Sequence, residues 1–229
     1  MKEYTDITVF VDRSGSMTSI KSTMESAYDE FLIRHRQTPS TRLTLIQFDH
    51  IPPTPEVVYE NTPVAEAGPL QLEPRGNTPL LDALCRAIDQ TGRRLGALGS
   101  DCPDQILFIV ITDGAENASR EFKRDDVRRR VETQSNVYKW QFVFLGANQD
   151  MFAEAATIGI PMTGAVNFSP SARATRSVMG AISANSARYA ARASSTPHFS
   201  PEQRDAALDD HEKWKKDPSG KTPTATDSK

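Results

Sequence analysis

Asp12, Ser14 and Ser16 alternate along the stretch Asp12-Arg13-Ser14-Gly15-Ser16, directly after the apolar run Ile7-Thr8-Val9-Phe10-Val11. One carboxylate and two hydroxyls in that spacing are hard oxygen donors, the kind a divalent cation such as Mg2+ takes while keeping several of its waters. These three cannot complete a coordination shell alone. Two other fragments offer donors of the same kind: Gly76-Asn77-Thr78-Pro79-Leu80-Leu81-Asp82, and Ile109-Val110-Ile111-Thr112-Asp113-Gly114. Each fragment has a plainer reading, with Asp12 and Ser16 as helix caps, Thr78 as an N-cap ahead of Pro79, and Asp113-Gly114 as a turn. Capping chemistry does not readily put all three at strand ends or helix starts together.

The elements that must position these residues follow from hydrophobic period. Ile7 to Val11 reads as a buried strand, so the polar cluster lies at its C-terminal edge, where open parallel sheets bind ligands. Ile20, Met24, Ala27, Tyr28 and Phe31 make residues 18–36 an amphipathic helix, stopped by Thr38-Pro39-Ser40. Leu43 to Phe48 is a second strand, ending in Asp49 and a surface His50. Residues 51–74 are proline-rich, with Val57-Val58-Tyr59 an edge strand in a long ordered loop. A helix runs from Leu80 to Leu98, with Asp82 a first-turn carboxylate complementing its dipole. Ile106 to Ile111 is apolar throughout, as a central parallel strand must be. A mixed-charge helix spans Phe122 to Gln134, and Trp140 to Leu145 is another buried strand. Asn148 or Asp150 caps a short helix through Ile158, and Ala165 to Phe168 is a last edge strand. Strands alternating with helices give an α/β, doubly wound sheet with right-handed crossovers.

With the elements placed, the Asp-x-Ser-x-Ser loop, the Thr ahead of a helix and the Asp-Gly closing an apolar strand resemble, in the same order, the metal-ion-dependent adhesion site of von Willebrand factor A domains. The resemblance covers roughly residues 4 to 168. It implies a six-stranded, mostly parallel Rossmann-like sheet with helices on both faces. It also implies that Ser14, Ser16 and Thr78 give hydroxyl oxygens directly to Mg2+ or Mn2+, while Asp12 and Asp113 act through bound waters and hydrogen bonds. An Asp or Glu of a partner protein would fill the open coordination position. Glu116, Asn117 and Asn148, with the loop from Pro53 to Pro74, are expected to form the partner-binding rim, since loops on a rigid scaffold carry specificity. The chain resembles compact cytosolic A domains of bacteria and phages, which work beside other factors, an AAA+ ATPase among the candidates.

Length and composition bound the rest. The 229 residues, 25% charged and 38% apolar, hold one large domain and a little more. We expect an A domain over 1–170, an amphipathic helix over 171–196, and a short helix (Pro201 to Trp214) with a polar tail over 197–229. On the helix, Arg173, Arg176, Arg188 and Arg192 form one arc, opposite Val178, Met179, Ile182, Tyr189 and Ala193. Docking on the domain is the favoured role for it, ahead of contact with phosphate or a partner. A net charge of −3 supplies no field for nucleic acid or an anionic membrane. No run approaches the ~20 apolar residues of a membrane span, and no signal peptide is visible, so a cytoplasmic protein is expected. Cys85 and Cys102 form no CxxC and are expected as reduced thiols, Cys85 as a small core residue.

The leading function is therefore metal-dependent protein binding, without catalysis. A metal-dependent hydrolase would need a base, for which Glu116 is the first candidate, with Asp49 and His50 behind it. There is no P-loop, Asp-x-Asp nucleophile or Ser-His-Asp set. Nucleic-acid binding through the 171–196 arginines is the remaining alternative.

Overall fold

A computed structural model describes residues 1–38, 40–51, 54–147 and 151–209. The expected Asn148 rim residue, the Asp150 cap and the segment beyond 209 lie outside the described residues. The elements are β1 (Lys2–Asp12), α1 (Lys21–His35), β2 (Thr41–Phe48), β3 (Glu56–Pro63), α2 (Leu80–Ala97), β4 (Pro103–Thr112), α3 (Arg124–Asn136), β5 (Gln141–Gly146), α4 (Met151–Thr157), β6 (Ala165–Asn167), α5 (Ala172–Ala190) and α6 (Pro201–Ala206). They build one six-stranded sheet in the order β3-β2-β1-β4-β5-β6. Only β3 runs antiparallel, which suits an edge strand reached through a proline-rich connection.

The order reverses on either side of β1, whose neighbours are β2 and β4. Register pairs Val11 with Ile111, so Asp12 and Thr112 end their strands side by side at the switch point. Open sheets of this kind place ligands in that crevice, because the two connections diverge there.

Alternation along the central strands divides the apolar residues between two layers. Ile7, Val9, Val11, Leu107, Ile109 and Ile111 face α1 and α5. Phe10, Phe48, Phe108, Phe142 and Phe144 face α2, α3 and α4. The second layer is aromatic, with Phe10 stacked on Phe48 at 4.4 Å between centroids.

Several expectations need correction. The proline-rich segment is not mainly a rim: Val64, Ala67, Leu70 and Leu72 are buried in the α1-side core, and the Leu72 N–H donates to Glu25 Oε1 at 2.8 Å. Apolar spacing inside an irregular segment leaves no period to read, so its burial was invisible. On α5, Val178, Met179, Ile182 and Tyr189 are buried as expected, but Ala193 lies past the helix end and is exposed. The arginine arc is not an open basic face either. Arg173 donates to the Leu208 carbonyl at 2.5 Å and to Asp209 at 2.8 Å, and Arg192 clasps Asp104 with two contacts of 2.6 Å.

The chain after α5 returns along the β6 edge. The Phe199 N–H donates to the Thr163 carbonyl, the Ser169 N–H donates to the Ala207 carbonyl, and Phe199, Ala207 and Leu208 are buried. Covering the edge in this way removes a template for unwanted strand pairing. Helix α6 ends at Ala206, and Trp214, its expected end, lies outside the described residues. Both cysteines are free, and Cys85 is buried. No helix among the described residues is long and apolar enough to cross a membrane.

Candidate metal centre

The loop after β1 is held by its backbone. The Arg13 N–H donates to the Phe48 carbonyl at 2.9 Å, the Arg75 N–H to the Arg13 carbonyl at 2.9 Å, and the Gly15 N–H to the Gly76 carbonyl at 3.1 Å. The first residues of the loop therefore lie between the end of β2 and the approach to α2. Arg13 points inward, donating to Asp49 at 2.5 Å and Glu56 at 2.6 Å, and Arg75 reaches Asp49 at 3.1 Å. Asp49 is buried and also takes the Ile51 N–H. His50 lies against Gly76 (φ +65°), where a β-carbon would fall 2.0 Å from the ring, and its Nδ1 accepts the Asn77 N–H at 2.9 Å.

All five expected donors converge. Asp12 Oδ1 accepts the Ser14 N–H at 2.6 Å, and Asp12 Oδ2 accepts the Thr112 hydroxyl at 2.6 Å. The Ser14 and Ser16 hydroxyls are 3.1 Å apart, and Ser16 donates to Asp113 Oδ1 at 2.6 Å. A β-carbon placed on Gly114 would fall 2.8 Å from Thr78 Oγ1, 3.4 Å from Ser16 Oγ and 3.6 Å from Asp12 Oδ2. Three donors thus surround one small hollow, and a side chain at 114 would fill it. That is why glycine follows Asp113. Asp12, Ser14 and Thr78 are buried while Ser16 is exposed, so the hollow opens to one side.

Burial pushes the Asp12 carboxyl up to about 6 against its hydrogen bonds from Thr112 and Ser14, with the Asp113 charge adding to the rise. Burial raises Asp113 too. Among the described residues no basic side chain pairs with either carboxylate; their partners are hydroxyls and one backbone N–H. Nor do three His, Cys, Asp or Glu side chains gather anywhere among the described residues as they would round a transition metal. Hydroxyls with two uncompensated carboxylates fit a hard cation.

Of the expected rim residues, Asn117 is exposed, whereas Glu116 is engaged within the protein. Glu116 turns inward: Oε1 accepts the N–H groups of Ala118 and Ser119, and Oε2 accepts the Leu81 N–H and the Ser119 hydroxyl, all within 2.7–2.9 Å. Asn117 Oδ1 accepts the Thr78 N–H at 3.0 Å, and its own N–H donates to the Thr78 carbonyl at 3.2 Å. Asp82, read as a dipole partner, instead accepts the backbone N–H groups of Arg120, Glu121 and Phe122 at 2.8–3.3 Å. The start of α2 and the loop after β4 thus cap each other, and Thr78 is locked between them.

Thr112, Asp82 and Ser119 were missed as site-supporting residues. The one available signal was an acidic residue in the first turn of α2, which dipole complementarity already explained. Asp82→Ala is expected to cost about 2–3 kcal/mol, the loss of several hydrogen bonds to one charged acceptor. Urea unfolding reads the cost, and faster amide exchange confined to 116–122 checks its origin; unchanged exchange there would contradict the clamp.

No family model and no curated protein matches the sequence. Solved structures do match the fold. The D319A mutant of the PilB minor pilin from Streptococcus sanguinis aligns with TM-score 0.59 at 11% identity, over 85% of this chain and 64% of that one. The pilus adhesin SpaC from Lactobacillus rhamnosus GG gives 0.59 at 13% identity, over 82% of this chain and 30% of that one. The vWF domain of the type V pili tip protein Mfa5 from Porphyromonas gingivalis gives 0.51 at 10% identity, over 78% of this chain and 95% of that domain. The fold is that of a von Willebrand factor A-type domain. This chain spans under two thirds of PilB and under a third of SpaC. In this chain the hollow lies where β1 and β4 end together, at the switch point of the sheet.

Proposed function

We propose that this A-type domain is a metal-dependent protein-binding module. Ser14, Ser16 and Thr78 would hold Mg2+ or Mn2+ directly, and Asp12 and Asp113 would hold it through water and hydrogen bonds. When bound, the ion supplies a Lewis-acidic position that a carboxylate of a partner protein can occupy. The observation that carries the reading is that Asp12, Ser16 and Thr78 surround one hollow, with Ser14 and Asp113 against Ser16, and that no side-chain cation among the described residues pairs with Asp12 or Asp113. Thr112 fixes one oxygen of Asp12 and the Ser14 N–H fixes the other, which orients the carboxylate before any ligand arrives.

A hydrolase is disfavoured because each candidate base is engaged. Glu116 accepts four hydrogen bonds, Asp49 is buried between two arginines, and His50 Nδ1 is taken by Asn77. The nucleic-acid reading loses Arg173 and Arg192 to intramolecular partners. We assign residues 1–170 to the domain and 171–196 to an extension docked on it. The free cysteines suit a reducing, cytoplasmic compartment.

Calorimetric titration with Mg2+ and Mn2+ tests the site. The wild type should bind one ion, and Asp12→Ala should bind it about 10–100-fold more weakly, the usual effect of removing an orienting partner. Equal binding by the two proteins would overturn the assignment.

A further inference from the structure

Beside Thr78 lies a polar groove of about 470 Å³, between Asn77 and Pro79 on one wall and residues 117–121 on the other, with His50 at one end. Its two carboxylates already have partners within the protein. Both Asp82 oxygens take backbone N–H groups, and Glu121 is ion-paired with Arg86. Its unpartnered groups include three donors. His50 Nδ1 accepts from Asn77, which puts the proton of the neutral ring on Nε2, and Nε2 meets no partner among the described residues. Asn117 uses Oδ1 on the Thr78 N–H, leaving its Nδ2 hydrogens for the groove. Arg120 is exposed with its backbone pinned by Asp82, and its guanidinium has no partner among the described residues. Three kinds of donor, one of them a charged guanidinium with no partner among the described residues, favour an anion, and a guanidinium on a fixed backbone suits a planar carboxylate.

We infer that this groove binds a second acidic side chain of the partner, next to the one that reaches the ion, so that the recognised segment is diacidic. The inference rests on the metal-bridged reading above and adds its specificity. Arg120 gives the principal contact, with Asn117 and His50 completing the donor set. Because Asn77 and Pro79, which line the groove, flank Thr78 of the metal hollow, and Asn117 holds the Thr78 N–H, one short peptide can reach both.

The test uses the full chain, 15N-labelled, in MgCl2. It is titrated with capped glycine peptides carrying either one aspartate or two separated by one, two or three glycines. The best diacidic peptide should bind about tenfold tighter than the monoacidic one. Arg120→Gln should reduce that advantage to about twofold or less while leaving Mg2+ affinity and monoacidic binding unchanged. Arg93→Gln, which removes an exposed charge near the far end of α2, should leave the advantage intact. A diacidic peptide no tighter than the monoacidic one, or an advantage that survives Arg120→Gln, overturns the inference while the metal reading stands. Binding by neither peptide in Mg2+, or binding that persists in EDTA, overturns the metal reading and this inference with it.

Discussion

Asp49→Ala is expected to destabilise the protein by about 3–5 kcal/mol, the cost of leaving a buried charge without its partner. The Arg13 side chain is only 7% exposed and that of Asp49 is fully buried, so water cannot replace the lost carboxylate. Arg13 would keep the half-exposed Glu56 as its one carboxylate and a long 3.5 Å contact to Gln47 Oε1. Urea unfolding at neutral pH measures the effect. The double variant Arg13→Met with Asp49→Leu should recover much of the loss, because it removes the orphaned charge together with its partner. A cost for Asp49→Ala below about 1 kcal/mol would mean that the pair behaves as a surface bridge. Since Arg13 stands between Asp12 and Ser14 in the loop, the single variant should also weaken Mg2+ binding.

Acidification from pH 7 to 4 is expected to cost about 3 kcal/mol through His35 alone. Burial between α1 and α5 lowers this imidazole from its ordinary 6.5 to about 4, against the pull of its hydrogen bond to the Phe31 carbonyl. Nδ1 meets that carbonyl at 2.8 Å, and Nε2 meets the Ser186 hydroxyl at 3.0 Å. Above pH 6.5 the residue is neutral folded and unfolded, so its full contribution is present. Between 6.5 and 4 the unfolded chain takes up a proton that the folded one excludes, and stability falls with pH. Below about 4 both states are protonated and the loss levels off. Carboxylates titrate in part of the same window, so the measurement is the difference in unfolding free energy between wild type and His35→Gln across pH 7 to 4. Parallel curves would contradict the assignment to His35. A loss of this size would loosen α5 from α1 first, since His35 and Ser186 bridge them.

The sequence by itself determined the alternating plan and which strands are buried on both faces, while the strand order came from the structure. Continuous apolar runs such as Ile106 to Ile111 are stable only when covered on both faces. It also offered the five hydroxyl and carboxylate candidates, four of them at or just after the ends of such strands and Thr78 just ahead of a helix. What only the tertiary structure decided is which partner each polar side chain finds. Glu116 and Asp82 looked like a rim carboxylate and a dipole partner, yet they bind each other's backbone segments across a gap of more than thirty residues. His35 carried no signal of its own, and its burial depends on Ser186, 151 residues away. Arg173 and Arg192 were expected on one helical arc with two other arginines, but Arg192 lies past the end of α5, and the returning C-terminal segment and the start of β4 claimed the pair. Hydrophobic period records which face is buried, an intrinsic property of a segment. A charge or donor records only that it needs a partner, and long-range packing chooses which one.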